Sequence, residues 1–154
     1  MEGHTRLSFE DAVMVEGEPA WKRMGKIARL CSAAVERHFG ETLDFTPESI
    51  KVLDRVILSG WGKTKRIDEI PLHVRLSFGA YVGEILVRKT PGRWVSGLNE
   101  EEPASILFLD DKDEALVNIS PFLMVREKLA NPWKYDLSLA WAVLDQKLKE
   151  IGAR

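Results

Sequence analysis

The chain holds one cysteine, Cys31, in 154 residues, so no internal disulfide can staple it. Its helical, mostly apolar context reads as core, and this cysteine usage fits a reducing cytoplasm. Histidine is as sparse. His4, His38 and His73 are scattered instead of set at ligand spacing, so neither a metal site nor a cofactor is expected. No stretch approaches the roughly 20 apolar residues of a membrane span. The opening "MEGHTRLSFEDAVMVEGEP" puts acids and a Gly-Glu-Pro turn where a signal peptide needs a basic start and an unbroken apolar run. With no secretory route expected, the triplet Asn118, Ile119, Ser120 is a chance glycosylation match. An excess of charge is missing too. Twenty-two Lys and Arg against 24 Asp and Glu leave a formal charge of -2, too little basic field to draw in nucleic acid.

What remains is the composition of an ordinary folded protein, 45% hydrophobic and 30% charged. A chain of this length can bury a sizeable core, and a single domain over 1–154 is expected, with residues 1–17 loosely ordered. A first helix is predicted in "PAWKRMGKIARLCSAAVERHFG", where Met24, Ile27, Ala28, Cys31, Val35 and Phe39 recur at helical spacing and Gly40 follows the end. The basic residues Lys22, Arg23, Lys26 and Arg29 read as its solvated face. A second helix is predicted in "FTPESIKVLDRVILSGWG", with Thr46 as cap, Ile50, Leu53 and Ile57 inward, and Gly60 as the stop. A third runs from about Asp68 or Pro71 to Lys89, before Pro91 and Gly92 break the chain. The period then changes. "GRWVSG" is a short strand, "ASILFL" and "EALVNI" form a hairpin about "DDKD", and two helices follow, the last capped by Asp136 or Ser138.

The third helix is the unusual one. At about 100° per residue, apolar side chains cover most of its circumference, so it should be central and packed on more than one side. Gly79 and Gly83 stack one turn apart, each costing about 1 kcal/mol relative to alanine, and close approach of another element is the simplest compensation. His73, Ser77, Tyr81, Glu84 and Arg88 form a narrow polar stripe, in which Glu84 and Arg88 have the favourable i to i+4 order. This stripe reads as a solvated edge, a buried network or a ligand site. Ser77, His73 and Glu84 are the residue types of a catalytic triad, but a nucleophilic serine sits on a strained turn beside oxyanion donors, and no G-x-S-x-G is present. "DDKDEALVNISPF" lacks the glycine and final glutamate of a calcium loop. "GWGKTK" has the wrong upstream spacing for a phosphate loop. Of the five tryptophans, Trp61, Trp94 and Trp133 fall at turns or strand ends, where an indole covers the core or anchors a partner.

The run Phe78, Gly79, Ala80, Tyr81, Val82, Gly83, Glu84, followed by Gly92, Arg93, Trp94 and later by Pro121 and Phe122, resembles a group of uncharacterised bacterial domains. In these an F-G-A-Y-x-G-E helix leads into a G-x-W strand and a small sheet. The resemblance spans roughly residues 70 to 130, leaves out the first two helices, and implies a fold grouping with no reaction. It also singles out Tyr81, Glu84 and Trp94.

The expected architecture is α+β: N-terminal helices, a central glycine-bearing helix, an antiparallel sheet of about three strands, and C-terminal helices. With no catalytic motif and no catalytic residue to name, the expected function is a non-catalytic cytoplasmic domain that binds another protein, in a regulatory or immunity-like role. Nucleic acid and membrane are not expected partners. The alternative is a small-ligand binder or enzyme with a pocket between the central helix and the sheet. Tyr81, Glu84 and Arg88 would line it, Trp94 would form an apolar wall, and Glu84 would be the general base or polar anchor.

Overall fold

The structure is a computed structural model that describes residues 18–153. The expectation for residues 1–17 lies outside the described residues. A short 3-10 turn, Ala20–Arg23, leads into α1, Met24–Phe39, which Gly40 ends in the left-handed region at φ 67°. Helix α2 covers Ser49–Trp61, and the central helix α3 covers Leu72–Lys89. Three antiparallel strands follow in the order β1, Arg93–Asn99; β2, Glu102–Leu109; β3, Ala115–Ile119. Helices α4, Pro121–Ala130, and α5, Leu137–Glu150, complete an α+β fold.

Local chemistry accounts for most boundaries. Ser120 accepts the Leu123 amide and Asp136 the Leu139 amide, which caps α4 and α5. The turn between β2 and β3 is held by Asp110, whose Oδ1 accepts the amides of Lys112 and Glu114. Two boundaries differ from the sequence reading. Thr46 does accept the Ser49 amide at 3.3 Å, but through a turn that precedes α2. Gly60 does not stop that helix. It lies in the last turn, where a Cβ would sit 3.1 Å from the Phe39 ring, and the helix ends at Gly62.

Helix α3 is buried from Leu76 through Gly83 and again at Ile85 and Leu86. One side joins Met24, Ile27, Ala28, Ala104 and Phe122 through Leu76 and Ala80. The other carries Phe78, Tyr81, Val82 and Ile85 into the main core with Leu53, Ile57, Ile106 and Phe108. A helix apolar on nearly all sides is therefore packed on two. Its glycines admit side chains, not backbones. A Cβ on Gly79 would clash with the edge of the Phe122 ring, and one on Gly83 would clash with the Trp94 indole, with Pro121 Cγ 2.8 Å away. Trp94 enters from β1 and Phe122 from α4, so the two glycines key the sheet and the fourth helix to the third.

Candidate functional site

The polar stripe of α3 is a set of ties to three other segments. The Tyr81 side chain is fully buried. Its hydroxyl accepts the Phe45 amide at 2.8 Å and shares a hydrogen bond with Ser49 Oγ at 2.6 Å. Burial raises its phenol above the ordinary value, against the opposing effect of those two hydrogen bonds. Phe45 holds φ at 63°, a conformation costly for a bulky residue, so the loop before α2 depends on the bonds that hold it. Its ring packs on Tyr81 at 4.9 Å, and the Arg88 guanidinium lies 3.8 Å over its centre.

Glu84 ties the other end. Its Oε1 accepts the Trp94 indole N–H at 3.0 Å and its Oε2 accepts Arg88 Nε at 3.2 Å. The Glu84 side chain is 13% exposed and that of Arg88 40%. A Cβ on Gly25 of α1 would lie 3.5 Å from Glu84 Oε2, an ordinary contact distance, so the carboxylate lies against α1 at this glycine. Tyr81, Phe45, Arg88, Glu84 and Trp94 thus form one continuous chain of contacts from the loop before α2 to β1. Ser77 donates to the Val74 carbonyl at 2.7 Å and is itself buried. Burial pushes the neighbouring Cys31 thiol up to about 12, opposed by a hydrogen bond with Ser77, so a reactive thiolate is suppressed.

A concavity does lie between the central helix and the sheet, but at the opposite end of α3. A groove of about 690 Å³ runs between its first turns, with Pro71, Leu72, His73 and Leu76, and the end of the β1–β2 hairpin, with Gly97, Leu98, Asn99, Glu100 and Pro103. Ala20 completes the lining. Tyr81, Glu84, Arg88 and Trp94 are not among its residues. Leu98, on the rim, is 83% exposed. Gly97 belongs to the irregular end of β1, where the pairing slips between Ser96 and Asn99 and a Cβ would strike the Glu102 carbonyl. The slip separates this end of the hairpin from the regular ladder and leaves Leu98 beside α3.

Sequence reasoning passed over this groove. The signal was a leucine inside "SGLNEEEP", an apolar residue in an acidic turn. Its partners Leu72 and Leu76 were hidden in the apolar face of α3, since position on a helix does not separate a covered leucine from one beside a hollow.

Among the described residues no group of three or more His, Cys, Asp or Glu side chains could hold a metal ion. No described helix is long and apolar enough to cross a membrane. No family profile, curated protein or solved structure matches this chain.

Proposed function

We propose that this chain is a non-catalytic binding domain, an accessory or immunity-like regulator of another protein in the cytoplasm, and that the groove beside Leu98 is its recognition surface. The observation that carries the reading is the exposure of Leu98 on the rim of a mainly apolar concavity. Burying a leucine fully gains about 1.5–3 kcal/mol, and an apolar groove with a polar margin is the usual form of a recognition site. The engagement of Tyr81 and Arg88 with Phe45, and of Glu84 with Arg88 and Trp94, supports a scaffolding role for the stripe. Membership of the group of domains with the F-G-A-Y-x-G-E helix belongs to the same proposal and brings no reaction with it.

The test is a photo-cross-linking amino acid placed at position 98 or, as a control, at the exposed Gln146 of α5, in cells that express the full chain. A discrete adduct from position 98 and none from 146 is expected. Equal labelling, or no adduct from either, overturns the reading. A small-ligand site is the second reading, favoured by a volume within the roughly 300–1,000 Å³ of ligand pockets. Native mass spectrometry of the purified chain separates the two, since a small ligand adds a fixed mass of a few hundred daltons at most.

A further inference from the structure

At Leu72 the groove meets a second hollow, of about 650 Å³, in which charged side chains replace apolar ones. Three arginines, Arg66, Arg75 and Arg126, face three carboxylates, Asp68, Glu100 and Glu101. Arg66 is engaged by Asp68 at 2.6 Å. The other two arginines converge on a single acceptor: Glu101 Oε1 lies 3.1 Å from Arg75 Nη1 and 4.0 Å from Arg126 Nη1.

The partners in this cluster are not equally fixed. The Arg75 side chain is 18% exposed and its Nε donates to the Ile70 carbonyl at 3.0 Å, so this guanidinium is oriented whether or not Glu101 is present. The Glu101 side chain is 53% exposed. The turn that carries it is held separately, because Asn99 Oδ1 accepts the amides of Glu101 and Glu102 at 2.9 and 3.1 Å. The carboxylate can leave by side-chain rotation alone, without opening the hairpin. What it leaves is one preset guanidinium, a second beside it, and an apolar groove that begins at the next side chain.

We propose that Glu101 is an internal placeholder for a carboxylate of the bound partner. The partner segment lays apolar side chains along Leu72, Leu76 and Leu98 and sets one Asp or Glu on Arg75 and Arg126 in place of Glu101. A planar fork suits a carboxylate, and a guanidinium already oriented loses little freedom on binding. Glu100 shares the turn and repels a second acidic group, so the fit is to a single carboxylate among apolar residues and not to a polyacidic stretch. The inference rests on the groove being the recognition surface, and it names the chemistry of the partner.

The probe is a random dodecapeptide library displayed on phage and selected on the full chain. Enriched peptides are then synthesised and measured by fluorescence anisotropy on the wild type, Arg75→Met, Arg126→Met, Glu101→Gln and Leu98→Ser. The expected peptides combine one acidic residue with apolar ones. They lose about tenfold in affinity on Arg75→Met, as loss of a charge-assisted contact implies, and bind several-fold more tightly to Glu101→Gln. Glu101 is half exposed, so its amide variant folds and keeps the test decisive even where an arginine variant does not. Peptides without an acidic residue, or with unchanged affinity for Glu101→Gln, overturn the placeholder while leaving the groove standing if Leu98→Ser weakens them. If no peptide is enriched, or none responds to Leu98→Ser, the groove reading falls and the placeholder with it.

Discussion

The Trp94 indole donates to Glu84 at 3.0 Å across the notch of Gly83, so one strand and the central helix are joined by a hydrogen bond and a close packing contact at the same place. Glu84→Ala leaves a part-buried indole N–H without its acceptor and Arg88 without its carboxylate. A loss of about 2–3 kcal/mol is expected in urea unfolding, most of it from unsatisfied polar groups. Arg88→Met should cost less, about 1 kcal/mol or under for the ion pair itself, because that side chain is 40% exposed. Equal losses in the two variants would place the energy in the ion pair and not in the indole bond.

Alanine improves an ordinary helix interior by about 1 kcal/mol over glycine, yet Gly79→Ala and Gly83→Ala are expected to destabilise this one. The added methyl meets Phe122 in the first case and Trp94 with Pro121 in the second, and overpacking of this kind costs about 1–3 kcal/mol or more. Phe122→Leu in the Gly79→Ala background should restore part of the loss, measured as a double-mutant cycle. A simple sum of the two single effects would show that the notch is not keyed to that ring.

The Lys128 side chain is 3% exposed, and its ammonium has three acceptors: the Pro132 and Tyr135 carbonyls at 2.8 and 2.9 Å and Asp54 Oδ1 at 3.1 Å. Asp54 also accepts the Leu137 and Ser138 amides at the start of α5, so one ion pair fastens α2, α4 and α5 together. Removing the lysine takes the counter-charge from a largely buried carboxylate, which keeps only its two amide donors, and takes the ammonium donor from the Pro132 and Tyr135 carbonyls. Lys128→Met is expected to lose about 3–5 kcal/mol in chemical denaturation, far more than an exposed pair would.

Burial raises the Cys31 thiol from 9.0 to about 12 and raises the Tyr81 phenol from 10.0 as well. For a group whose folded value lies above its unfolded one, the stabilising contribution is complete below the unfolded value and is lost as pH climbs toward the folded one. Stability should therefore decline from about pH 9 upward through these two groups, and Cys31→Ala should make the decline shallower between pH 9 and 11. At pH 8 the thiol should react with iodoacetamide only as fast as the chain unfolds. Labelling faster than unfolding would contradict its enclosure.

Leu98→Ser should leave the unfolding free energy within about 0.5 kcal/mol of wild type, as expected for an exposed position, while it removes the side chain on which the proposed recognition rests. Circular dichroism melting and peptide binding by fluorescence anisotropy together separate the two effects. A large drop in stability would make Leu98 a part of the core.

Much of the fold was legible because it depends on local chemistry. Periodicity located α1 and α3, proline and glycine marked the breaks, and the need for compensation at Gly79 and Gly83 pointed to close packing before Phe122 and Trp94 were known to supply it. The polar stripe was legible only as residue types. Tyr81, Glu84 and Arg88 share one face of a helix, and on that ground a solvated edge and a buried network look alike. Phe45 distinguishes them, since from 36 residues earlier in the chain than Tyr81 it donates its amide to the Tyr81 hydroxyl and receives Arg88 on its ring.

The sequence by itself determined the α+β order of elements, the central place of an all-round apolar helix and the sites of close approach, because period, caps and glycines act over a few residues. Tertiary structure alone decided that Tyr81 is enclosed, that Glu84 serves Trp94 as well as Arg88, and that Leu98 stands beside a groove. Those outcomes depend on which distant segments meet, and a side chain's burial is a property of everything that packs against it.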